Sequence, residues 1–177
     1  MSTYQRAAAR VPKITSATLV QWAGLSALVA GLLFVIIQPL HPADHLASVT
    51  TQSWMFVHIA TLVMAAFFLF GIAGIYARQV KELGWLGLVG YLVLSLGLLV
   101  QAPFGFIEAF IQPLLATSEP KFVEGMLGLV NGSASEVSLG ALSAIWSASG
   151  LLFLLGILLV PLVLEVAGPR GLHGSLR

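Results

Sequence analysis

The chain is 177 residues long, 58% hydrophobic and only 8% charged, with a net charge of +1 and no cysteine. So few charges cannot cover a soluble fold, in which about 25% of residues are charged. The same numbers exclude a disulfide-stapled secreted scaffold, a disordered chain and a nucleic-acid binder with its basic footprint. Charge-free runs cover 14–43, 45–77, 83–107 and 137–164, lengths of 30, 33, 25 and 28 residues. About 20 apolar residues cross a bilayer, so each run holds one span. The expectation is an all-α protein, a four-transmembrane-helix bundle forming a single domain over 1–177.

The first span is expected over about 18–38, closed by Pro39 and Pro42. Its basic flank (Arg6, Arg10, Lys13) resembles a signal peptide. The apolar stretch is longer than the usual 7–15-residue h-region and no A-x-A-like site precedes a soluble domain, so it reads as a retained anchor. The flank itself suits contact with anionic lipid. The second span covers about 53–77, with Trp54 and Tyr76 as interfacial aromatics at its two ends. The third covers about 84–110 and stops at Pro113. The fourth covers about 139–164, with Pro161 in its last turns.

Orientation follows from Lys and Arg in the short loops. Seven of the eight lie on one side: three in the tail 1–17, Arg78 and Lys81 in the 78–82 turn, and Arg170 and Arg177 in the tail 165–177. Both termini are expected in the cytoplasm and the protein in the plasma (inner) membrane. The opposite 113–138 loop is too long for a connector. Ser118-Glu119-Pro120 reads as a helix start and Asn131-Gly132 as a stop, with Phe122, Met126, Leu127 and Val130 on one face. That pattern fits a short amphipathic helix on the outer leaflet, or a loop packed over the helix ends.

Two echoes run through the sequence. Ile37-Gln38-Pro39-Leu40 returns as Ile111-Gln112-Pro113-Leu114, and Phe68-Leu69-Phe70-Gly71-Ile72 as Phe153-Leu154-Leu155-Gly156-Ile157. They point to two tandem helical hairpins. Because lipid is as apolar as leucine, small and polar residues mark the packing faces. The expected stripes are Gln21, Gly24, Ala27, Gly31 and Gln38 in span 1, and His58, Thr61 and Ala65 in span 2. Span 3 offers Gly90, Gly97, Gln101, Gly105, Glu108 and Gln112, and span 4 Ser143, Ser147 and Gly150.

Glu108 is the one carboxylate inside an expected span, and an intramembrane ionisable group is a functional candidate by default. Gln101 and Gln112 share its stripe, and Pro103 frees a carbonyl nearby. His58 enters span 2 on the same outer side. A pocket of His58, Glu108, Gln101 and Gln112 is suited to proton-linked binding of a small ligand. His41 and His45 would share a face if Pro42 opened a helix. With His58 and Glu108 they would then form a three-nitrogen, one-carboxylate divalent-metal site. Haem would need His58 and a second axial histidine from His41 or His45. His173 belongs to none of these schemes.

No nucleophile elbow, zinc-protease motif, P-loop or cysteine marks the chain as an enzyme. The sequence Gln38-Pro39-Leu40-His41-Pro42, then Trp54…His58, Tyr76-Ala77-Arg78-Gln79 and Glu108-Ala109-Phe110, resembles small multi-pass bacterial integral membrane proteins of unknown function. That resemblance implies a bacterial membrane and no activity. The expected function is a polar His/Glu pocket in the outer half that binds a small ligand or metal ion or passes a proton. The alternatives are an accessory subunit of a membrane complex and a haem- or quinone-binding redox subunit. The expected partners are the lipid bilayer and a second copy or larger membrane complex, with no nucleic acid.

Overall fold

The computed structural model describes residues 14–167, with side chains through 159. The basic residues Arg6, Arg10, Lys13, Arg170 and Arg177, and His173, lie outside the described residues. Everything described is helix or connecting loop. Helix α1 is Ser16–Leu40, capped by the Thr15 hydroxyl, which accepts from the Thr18 amide at 3.2 Å. A short α2, Leu46–Val49, precedes α3, Gln52–Phe106. A π-helical turn, Ile107–Ile111, leads into α4, Gln112–Leu115. Helix α5 is Pro120–Asn131 and α6 is Leu142–Ala167. Three continuous stretches, Ser16–Leu40, Gln52–Leu115 and Leu142–Leu159, are long and apolar enough to cross a membrane.

Helix α3 is two arms rather than one rod. Its backbone leaves helical geometry at Gln79 (φ −113°, ψ 15°) and again at Gly84 (φ 53°, ψ −146°). Only glycine adopts the second pair without strain. The chain reverses there, so the expected 78–82 turn is a break within helical backbone. The arms run antiparallel: Tyr76 stacks on Tyr91 with ring centroids 5.1 Å apart, and Trp54 meets Glu108 at the far end. Helices α1 and α6 both pack against these arms.

The packing faces differ in part from the expected stripes. In α1, Gln21, Gly24, Gly31 and Gln38 are exposed, and nothing lies within 4 Å of where a side chain on either glycine would begin. The buried face is Ala23, Ala30 and Ile37, with Ala27 in close contact with Gly71. In α6, Ser143, Ser147 and Gly150 are exposed, whereas Ser149 and Gly156 are buried. Alanine, like glycine and serine, is small enough for a packing face, so residue type alone does not single out the inward one. In the α3 arms the expected residues His58, Ala65, Gly90, Gly97 and Gly105 are buried, and Thr61 is half-buried. Around them a shell of exposed Leu25, Leu28, Val35, Leu92, Leu99 and Leu158 presents a surface suited to hydrocarbon.

Helix α5 begins at Pro120 and ends where Gly132 turns left-handed (φ 81°), its amide donating to the Gly128 carbonyl. Its apolar side faces protein. Val123, Met126 and Leu127 are buried, and Val123 and Leu127 join Val49, Trp54 and Ala116 in one cluster. Helices α2 and α5 therefore form a cap over one end of the helices.

A β-carbon on Gly156 would stand 2.6 Å from the Leu94 Cα, a backbone atom that cannot yield. Gly156→Ala is expected to lower stability by about 1–3 kcal/mol through overpacking. Gly24→Ala, with open space around it, should leave the thermal midpoint in detergent unchanged.

Candidate functional site

The capped end is organised around one carbonyl. Within the π-helical turn the Gln112 amide donates to the Ile107 carbonyl instead of to Glu108. The next residue, Pro113, has no N–H to give. The Glu108 carbonyl is thus left without a helical donor. The indole Nε1–H of Trp54 fills that role at 2.8 Å, across the hairpin. Trp54 is 0% exposed. It is therefore an internal strut, and the expectation of an interfacial aromatic is corrected.

Trp54 also positions His58, one turn on. The His58 Nδ1 lies 2.8 Å from the Trp54 carbonyl, and the two rings pack with centroids 4.2 Å apart. A carbonyl only accepts, so Nδ1 carries a hydrogen and Nε2 is turned to Glu108. The Nε2–Oε2 separation is 3.4 Å, with side chains 4% and 15% exposed. A neutral Nε2 and a carboxylate are both acceptors, so one proton between them serves the pair. Whether it rests on nitrogen or on oxygen, the pair has no net charge, as a low-dielectric site requires.

The pair opens onto a cavity of about 280 Å³ between α1, both arms of α3 and α6. Polar groups collect at the capped end: His41, Asp44, His58 and Glu108, with Gln38, Thr61 and Gln101 along the wall. Phe34, Phe68, Leu98 and Phe153 line its other end. His58 and Phe68 are ten residues apart on one arm, so the cavity extends about 15 Å along the helices. His41, at its mouth, sits edge-on to His58 with ring centroids 5.1 Å apart. Its Nδ1 donates to the Pro42 carbonyl at 2.7 Å, so its Nε2 is likewise an acceptor.

Of the expected pocket residues, His58, Glu108 and Gln101 are brought to this cavity, while Gln112 is not among its lining residues. Gln112 is 1% exposed, and its Oε1 has no hydrogen-bond partner. The expected metal set of His41, His45, His58 and Glu108 is not assembled. Residues 41–43 are not helical, and His45 caps α2 instead of sharing a helical face with His41. His45 lines a separate crevice with Asp44, Lys121, Glu124 and Glu136. Among the described residues, no group of three or more His, Asp or Glu is gathered to hold a metal ion. The edge-to-face contact of His41 and His58 leaves no porphyrin's thickness between them.

The grouping of His41 with His58 was legible in the sequence, whereas the Trp54 bond to Glu108 and the place of Asp44 on the cavity wall went unread. A signal for Trp54 was present: it precedes His58 by one helical turn, and Pro113 deprives a carbonyl on the facing arm of its donor. No protein-family model, curated protein or solved structure matches the chain.

Trp54→Phe leaves a buried carbonyl unpaired and should cost about 1–3 kcal/mol in detergent unfolding. In a Pro113→Ala background the restored N–H can reach that carbonyl. The cost of Trp54→Phe should then shrink by at least about 0.5 kcal/mol, which a double-mutant cycle measures.

Proposed function

We propose that the protein is a four-pass integral membrane protein whose outer-half cavity binds a small amphipathic ligand in a proton-linked manner. The observation that carries this reading is the His58–Glu108 pair at the polar end of the 280 Å³ cavity. Its size is at the lower end of small-molecule sites, and its mostly apolar wall with a few convergent polar groups is their usual make-up. A proton shared by an imidazole and a carboxyl group is released or moved when either partner is engaged, and this links occupancy to pH.

In the four-pass reading the two arms of α3 are separate spans, with the break at Gln79 and Gly84 on the cytoplasmic side beside Arg78 and Lys81. The cap of α2 and α5 then lies outside and covers the mouth of the cavity. Supporting the reading, each α3 arm spans more than 20 residues, and 20 suffice for a bilayer.

Infrared spectra of the purified protein across pH test the pair. They should show a carboxylic-acid C=O signal that is lost in Glu108→Gln and moved by His58→Gln. A Glu108 signal indifferent to His58 would end the reading. Topology is directly testable because the chain has no cysteine. On intact cells an impermeant maleimide should label Ser118→Cys, and reach Lys81→Cys only after permeabilisation.

A further inference from the structure

We infer that the ligand is a single-chain organic cation, an alkylammonium, exchanged one-for-one with the proton held by His58 and Glu108. This rests on the proton-linked pocket proposed above and specifies its ligand.

The polar end of the cavity is rich in acceptors. Backbone carbonyls hold the Nδ1–H of both histidines, at 2.7 Å for His41 and 2.8 Å for His58. Both Nε2 atoms are therefore acceptors whenever the rings are neutral. The other titratable groups on the wall are the carboxyl groups of Asp44 and Glu108. Among the described residues no Lys or Arg lines the cavity; Lys121 belongs to the separate crevice, where it pairs with Glu136 at 3.1 Å. Among the described residues the remaining packed elements add no charge: α6 contributes Trp146 and Phe153 to the wall, and α5 contributes Val130. The Trp54 indole N–H beside the pair is already committed to the Glu108 carbonyl, and the amide groups of Gln38 and Gln101 and the Trp146 indole N–H, which can donate, lie along the wall.

Such an end repels an anionic head and matches an ammonium, which has three donors and a positive charge. Charge balance then dictates the exchange. The empty pair holds one proton and is neutral. An ammonium seated against the Glu108 carboxylate keeps the His58–Glu108 pair neutral only if that proton leaves, with His58 remaining as the neutral imidazole. The wall beyond is mostly apolar, with Thr61 and Gln101 on it, and runs about 15 Å from His58 to Phe68. It suits a chain of roughly eight carbons, and the faces of Phe34, Phe104 and Trp146 are compatible with a cation passing along them.

The test uses the full-length protein in mild detergent with octylammonium, and octanol and octanoate as its neutral and anionic matches. Saturable octylammonium binding is expected with release of one proton per molecule bound in weakly buffered solution. Octanol and octanoate should bind at least about tenfold more weakly. Glu108→Gln should abolish the proton release; it leaves the Trp54 bond intact, since that bond is to the backbone, and near-ultraviolet circular dichroism verifies the fold. If octanol or octanoate binds as tightly as octylammonium in a Glu108-dependent way, the cation inference is overturned and the pocket reading stands. If octylammonium binds without proton release, the exchange is overturned. If the infrared signal of Glu108 is indifferent to His58, the pocket reading fails with it.

Discussion

Much of this structure depends on the hydrogen bond from the Trp54 indole to the Glu108 carbonyl. It exists because a π-helical turn and a proline together strip that carbonyl of its own helix donor. In water an unpaired carbonyl would be solvated. In a buried seam it must find a donor from another element, and Trp54 is that donor. One contact thus sets the register of the two α3 arms, fixes the indole face on which His58 rests, and presents the Glu108 side chain to the imidazole. The same indole is a member of the apolar cluster joining α2 and α5 to the helix ends. Cap, hairpin and site share this residue.

That sharing places polar chemistry in an apolar setting without leaving isolated charges. His58 is oriented by a backbone carbonyl, Glu108 by the bulge that carries it, and the pair is neutral as a unit. The cap shields it from one direction and the aromatic floor of the cavity from the other. Gln112 is a contrast: it is equally buried, yet its side-chain oxygen has no partner and it lies off the cavity. Two glutamines on one predicted stripe thus have different surroundings, Gln101 on the cavity wall and Gln112 buried off it just after the π-helical turn.

How much could be read in advance depended on the length scale of the physics involved. Helical segments near 18–38, 53–77, 84–110 and 139–164 were legible because hydrophobic run length is a local property. The start of α5 at Pro120 and its end at Gly132 were legible from capping chemistry. Glu108 and His58 were legible as candidates because ionisable groups in apolar runs are rare. Their approach to 3.4 Å was not, since it is a property of how two arms pair. The inward faces of α1 and α6 were misread. Ala23 and Ala30, rather than Gly24 and Gly31, face the hairpin, because rotation of a helix about its axis is decided by its neighbour.

The sequence by itself determined that the chain is helical and strongly apolar, where its helices break, and which few groups are costly to bury. Those outcomes follow from composition, proline and glycine stereochemistry, and the price of charge in hydrocarbon, all of which act locally. Only the tertiary structure decided that Trp54 is a strut, that α5 packs on protein, that His45 is parted from His41, and that a 280 Å³ cavity opens beside the His58–Glu108 pair. Each of these depends on which carbonyl lacks a donor and which face meets which. Such matters are settled when helices distant in sequence are brought together.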